Sequence, residues 1–171
     1  TVTAANGVIS TDSDVDDSAV LSVTNITDGT TTETISSGAS GVITSSYGTL
    51  TINDDGSYTY VANGADSEAL VDGTTATDTF TYTLTDAEGA ATTATLSVTI
   101  TGTNDNPVIT SSAIAATGSV TEAGNLDDGT VVAGTATTTG TLTSSDADAG
   151  STVTWSGDAT GTYGSLSIDP S

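Results

Sequence analysis

The chain has 171 residues, 22 acidic side chains and no Lys, Arg or His, for a formal net charge of -22. That inventory excludes side-chain salt bridges, removes nucleic acid as a partner because phosphate contacts need basic groups, and sets the chain against anionic membrane surfaces. Cysteine is also absent, so disulfides and thiolate metal sites are excluded, and oxygen-bound divalent cations become the natural counter-ligand.

Residues 1–11 read as a weak strand leading into a polar loop over Asp12, Asp14, Asp16 and Asp17, and Val20 to Ile26 reads as the next strand. Thr27 to Gly41 is rich in Thr, Ser and Gly, with Ile35 as its one core anchor, and is expected to be an exposed hairpin or insert. Leu50 and Ile52 then alternate with threonines, Asn53-Asp54-Asp55-Gly56 supplies a plain turn, and Tyr58 and Tyr60 continue the alternation, predicting a hairpin with one buried face. In the stretch 62–77, Asp66 or Ser67 is expected to cap a helical turn that holds Leu70 and Val71 on the core. Phe80, Tyr82 and Leu84, and after an Asp86-to-Gly89 turn Leu96, Val98 and Ile100, alternate with Thr and Ser through two long arms. Period two sustained through both arms predicts an antiparallel pair, apolar inside and Thr outside.

The stretch Thr101 to Ile109, TGTNDNPVI, closes that pattern and opens another. Asn104, Asp105 and Asn106 offer carboxylate and amide oxygens, and Pro107 blocks a helix across them, so the stretch reads as a joint between two β-domains around a cation. Beyond it, Val108 to Val120 and Val131 to Leu142 are expected to be extended. The chain then repeats itself. Asp146 to Gly150 echoes Asp12 to Asp16, Val153 and Trp155 stand where Leu21 and Val23 stand, and Tyr163 to Ile168 echoes Tyr47 to Ile52. The acidic motifs lie 134 positions apart and the tyrosines 116, which leaves 18 extra residues in the first copy, within the Thr27 to Gly41 region. The first copy is expected to lack a strand matching Asn106 to about Gly129, and the second the strands matching Tyr58 to Thr101, as in a window on a longer polypeptide. No signal peptide and no membrane-spanning apolar run are visible.

YGTLTINDDGSYTYV, DTFTYTLTDAEG, TATLSVTITGTNDNPVI, VTEAG and TSSDADAG, in this order, resemble the VCBS repeat, a cadherin-like β-sandwich found in tandem in very large bacterial surface proteins. The resemblance implies an all-β fold of antiparallel, immunoglobulin-like sandwiches: one repeat over residues 1–103 lacking its first strand, and the N-terminal part of a second over 104–171. It also implies calcium at domain junctions. Carried over residue by residue, the linker ligands are Asn104, Asp105 and Asn106, and the next loop supplies Asp146 and Asp148. Asp78 is a looser match to an acidic position near the end of a domain, where the family's second acid is replaced by Thr77 and Thr79. Asp12, Asp14 and Asp86 would face a preceding domain, and Glu122 a following joint.

Physically, alternate side chains of a loop can converge on one Ca²⁺, which takes 6–8 oxygens at an affinity on the order of 10⁻⁴ to 10⁻³ M in extracellular modules. The competing account is turn chemistry, with Asp and Asn bonding nearby backbone. Enzyme function finds no His, Cys or Lys, and only a glycosidase-type carboxylate pair remains. Trp155 is expected in the core, with sugar stacking as the alternative, and Asn25-Ile26-Thr27 fits a glycosylation sequon. The expectation is an extracellular spacer module of a bacterial cell-surface or biofilm-matrix protein. Its partners are neighbouring repeats of the same or identical chains, divalent cations and, if Trp155 stacks, surface glycans. The alternatives are a filament or surface-layer subunit built by strand exchange and, more weakly, a carbohydrate-binding domain.

Overall fold

Threonine is β-branched and polar at once, so a strand that alternates Thr with Ile, Leu or Phe has one face for a core and one for water. The computed structural model, which describes residues 3–15, 20–113 and 117–169, is organised by that alternation. The chain divides into two compact units, Thr1–Asn104 and Asp105–Ser171.

In the first unit β1 (Ser22–Thr27), β2 (Thr32–Thr34), β3 (Ser40–Thr44), β4 (Thr49–Asn53) and β5 (Tyr58–Val61) precede a four-residue helix α1 (Ala65–Glu68) and the long strands β6 (Thr75–Thr85) and β7 (Ala91–Thr101). They form two antiparallel sheets, ordered β2-β1-β6-β7 and β3-β4-β5. The inward residues of both sheets make one core: Val23 and Ile26 from β1, Ile35, Ile43 from β3, Leu50 and Ile52 from β4, and Phe80, Tyr82 and Leu84 from β6. Each fully buried side chain of this kind stabilises the fold by roughly 1.5–3 kcal/mol. Tyr60 of β5 packs edge-on against Phe80 of β6 at 6.2 Å, tying sheet to sheet. On the outer face, Thr32, Thr27, Thr81 and Thr95 stand in one rank across all four strands of the larger sheet.

Three expectations for this unit change. Residues 3–11 are a 3-10 turn (Ala4–Asn6) and bends in place of a strand, Thr1 and Val2 lying outside the described residues. Val8 and Ile9 are consecutive yet both pack against the core, which a strand cannot arrange because neighbours point to opposite faces. The Val8 amide donates to the Gly56 carbonyl at 2.9 Å and holds the turn there. Next, α1 is capped by Gly64, with no side-chain cap bond, and Ser67 Oγ donates to the Gly64 carbonyl at 2.7 Å. Finally, Val71 is exposed and Leu70 half-buried. This segment is held by backbone, through Gly102 N to Thr74 O at 2.9 Å and Gly73 N to Gly102 O at 3.2 Å. A Cβ on Gly102 would meet the Leu70 and Val71 carbonyl oxygens at 2.4 and 2.5 Å.

In the second unit β8 (Val108–Ile109), β9 (Gly124–Asn125), β10 (Val131–Val132), β11 (Ser144–Ser145), β12 (Asp158–Gly161) and β13 (Gly164–Ser167) form three two-stranded antiparallel sheets. The long extended runs expected over 108–120 and 131–142 reduce to β8, β10 and one bridge between Thr121 and Thr135, with residues 114–116 outside the described set. Strand order needs a paired neighbour, and two-stranded ribbons supply little. Apolar residues that the first unit buries are open here: Leu166 is 60 % exposed where its counterpart Leu50 is 0 %. Trp155 is half-buried rather than in a core. Among the described residues, no helix is long and apolar enough to cross a membrane.

Candidate metal centre

Among the described residues of the second unit, one alone is buried, and it is a carboxylate. Asp148 is 7 % exposed. Its place follows from a short ladder. β8 and β11 pair as Ile109 with Ser144 and Val108 with Ser145, and the same antiparallel register carried three residues past Val108, across Pro107, sets Asp105 opposite Asp148. Pro107 keeps Asn106 out of helical geometry, so the approach stays extended.

The Asp105 amide donates to Asp148 Oδ2 at 2.9 Å, and the Asp148 amide donates to Asp146 Oδ1 at 3.0 Å. Gly150, at φ +73°, takes the left-handed conformation that lets the loop close, and the Ser151 amide returns to the Asp148 carbonyl at 3.2 Å. The remaining oxygen, Asp148 Oδ1, is fully buried and has no hydrogen-bond partner among the described residues. Leaving a charged oxygen out of water without a partner costs several kcal/mol, and this sequence has no basic side chain to meet it.

The other expected ligands are scattered. Asp105 and Asp146 are half-buried beside Asp148, while Asn106 and Glu122 are exposed in the second unit and Asn104 is exposed at the end of the first. Asp12 and Asp14 are exposed in their loop, whose Asp16 and Asp17 lie outside the described residues. Asp12 Oδ2 receives a long bond, 3.5 Å, from the Tyr82 hydroxyl, which also donates to the Val8 carbonyl at 3.1 Å. Burial first, and Asp12 second, push the Tyr82 hydroxyl pKa up. Asp86 closes the β6–β7 hairpin, its Oδ1 accepting from the Ala90 amide at 2.7 Å. Among the described residues no three acidic side chains converge as a ready metal cage. What the loop offers is Asp148 Oδ1, the Asp146 carboxylate and nearby amide and backbone oxygens.

Asp78 does something different from what was expected of it. It is 7 % exposed inside the first sandwich. Its Oδ2 accepts from Ser45 Oγ at 2.5 Å and from the Tyr60 hydroxyl at 2.8 Å, and its Oδ1 from the Thr79 amide at 3.1 Å. Both oxygens are thus satisfied. The signal for this was legible: Asp78 shares strand parity with Phe80, Tyr82 and Leu84, the core phase of β6.

The bacterial cadherin-like domain model matches residues 1–102, more than half of the chain. The chain belongs to the bacterial cadherin-like domain family. Cadherin-like domains of this kind are structural units typical of bacterial surface adhesins and repeats, with no catalytic family indicated. No curated protein matches the chain. The family match ends at Gly102, just before the unit that carries the buried Asp148.

Proposed function

We propose that this cadherin-like chain is a cation-stiffened spacer in a bacterial cell-surface or matrix protein, with residues 104–171 the N-terminal part of a second repeat. The observation that carries the reading is the orphaned Oδ1 of buried Asp148. A hard divalent cation supplies the missing partner, and carboxylate, amide and backbone oxygens are the donor set Ca²⁺ takes. Asp148 and Asp146 would hold the ion, with Asp105 and Asn106 completing the shell; bound there, it would fix the loop after β11 to the segment before β8. Metal bound only by the folded state stabilises that state.

The test is thermal unfolding of the 171-residue chain with Ca²⁺ and with chelator, alongside terbium luminescence sensitised by Trp155. Expected are a higher melting temperature with Ca²⁺, half-saturation on the order of 10⁻⁴ to 10⁻³ M, and loss of both responses in Asp148→Asn. Identical melting with and without chelator would sink the reading.

The open apolar residues of the second unit favour one other reading, a subunit completed by strands from a neighbouring copy. Ile109 at 67 %, Val131 at 75 % and Leu166 at 60 % exposure are the side chains such strands would cover. The mass of the native polypeptide separates the two: a much longer chain favours the spacer, and a 171-residue subunit that polymerises favours exchange. Trp155 lines a cavity of about 690 Å³ with Leu166 and Ile168, so glycan binding lost in Trp155→Ala would point to the carbohydrate alternative instead.

A further inference from the structure

An asparagine followed by glycine is open to spontaneous backbone chemistry, because glycine has no side chain to keep its amide nitrogen from turning back on the neighbouring carboxamide. The first unit has such a pair at Asn63-Gly64, in the corner between β5 and α1. Packing demands the glycine. A Cβ at Gly64 would lie 2.0 Å from the Ser46 carbonyl oxygen, so this corner meets the β3–β4 turn too closely to admit a side chain.

In the folded chain both reacting groups are engaged. The Gly64 amide, the nucleophile of the reaction, donates to the Tyr47 carbonyl at 3.0 Å, and Asn63 Oδ1 accepts from Thr49 Oγ1 at 3.1 Å. The Asp66 amide donates to the Ser46 carbonyl at 3.1 Å, a second point at which the corner is pinned to the turn. On the other side, Val61 stands in register opposite Thr49. Only Ala62 and Asn63 lie between these anchors, and Asn63 is exposed to water.

We propose that Asn63 is a deamidation site that the fold holds shut and that local opening of this corner releases. Once the corner opens, hydroxide takes the Gly64 amide proton and the nitrogen attacks Asn63 Cγ. The new C–N bond closes a five-membered succinimide, and the side-chain nitrogen leaves as ammonia after taking a proton from water. Water then opens the ring at either carbonyl, giving aspartate or isoaspartate, with no oxidant or reductant consumed. The isoaspartyl product has one extra main-chain atom, ~1.5 Å of added length, in the short span between Val61 and Gly64. That span no longer fits both the Thr49 pairing and the Tyr47 bond, so the corner does not reclose. The released turn carries Ser45, a donor to buried Asp78, so the loss reaches the network between the sheets. The reaction is a one-way mark on a chain that has opened. It lies wholly in the first unit and is independent of the cation reading.

The experiment uses the full chain in an Asn6→Gln background, which removes its other Asn-Gly pair. The chain is aged at mildly alkaline pH, folded and in urea, and mapped by cleavage after glutamate, since it has no Lys or Arg to cut at. Expected is the amide-to-acid mass gain in the fragment 34–68, at least tenfold slower folded than in urea because the folded chain reacts only through its open state. That gain disappears in Asn63→Gln, whose longer side chain disfavours the ring. Chain purified with isoaspartate at residue 63 and nowhere else, then refolded, melts below the parent. Asn63→Asp adds the same charge without the extra main-chain atom and melts close to it. Equal rates folded and in urea overturn the proposal. So does a mass gain in 34–68 that persists in Asn63→Gln, or an isoaspartyl chain that melts like Asn63→Asp.

Discussion

The Tyr60 hydroxyl of β5 donates to Asp78 of β6 at 2.8 Å, so a buried carboxylate of one sheet is held by a side chain of the other. The same carboxylate oxygen takes Ser45, which closes the turn before β4 by accepting from the Gly48 amide at 3.1 Å. Tyr60→Phe removes one donor and leaves the rest. We expect a loss of about 1–3 kcal/mol, the range for a bond to a charged, buried acceptor, measured by urea unfolding. A loss under a few tenths would mean that the bond contributes nothing net.

Alkali should reach the same place. Burial, then the Asp78 bond and charge, push the Tyr60 hydroxyl pKa up to about 12. The folded value is raised, so its contribution is fully present below the ordinary pKa of 10.0 and is lost as pH rises through about 12. Ultraviolet titration of phenolate should show Tyr60 ionising late, alongside the upward-shifted Tyr82, and the late absorbance change should shrink by one tyrosine in Tyr60→Phe.

Acid should also reach a surface turn. Asp28 Oδ1 accepts from the Thr31 and Thr30 amides at 2.6 and 2.8 Å, and those bonds, Thr31 first, hold its pKa below 3.8. A depressed pKa gives stability that is present above the ordinary value and is lost as pH falls through the folded one. Melting temperature against pH should therefore drop more steeply on the acid side in the wild type than in Asp28→Asn. The difference should be small, because the group is exposed.

Leu50 and Leu166 test the two copies directly. Leu50→Ala should cost about 2–5 kcal/mol, as buried leucines do. Leu166→Ala, in the matching hexapeptide, should stay within about 0.5 kcal/mol, as exposed sites do. Equal costs would show that the second unit has a closed core in solution.

Among the acids, position and not identity should decide the response to Ca²⁺. Asp146→Asn should weaken terbium binding at least several-fold. Asp86→Asn should leave it unchanged, because Asp86 is occupied by the Ala90 amide in a hairpin turn.

Period-two alternation made β4, β6 and β7 readable from the chain alone, because a strand's faces are fixed by side-chain parity and need no knowledge of what lies across the core. The absence of Lys, Arg and His likewise settled that no carboxylate here has an internal cationic partner. Parity said nothing about where non-periodic segments go. Val8 and Ile9 are placed by a bond to Gly56, and Val71 by backbone bonds around Gly102, contacts made with residues tens of positions away. The same limit applies to the acids. Asp78, Asp86 and Asp148 look alike as letters, yet one lies in a satisfied buried network, one closes a turn, and one is left with a buried oxygen unmet. Strand parity could turn Asp78 inward and turn composition could place Asp86 in a hairpin, but partner geometry belongs to packing, and only the tertiary structure shows which carboxylate is satisfied and which is left with an oxygen unmet.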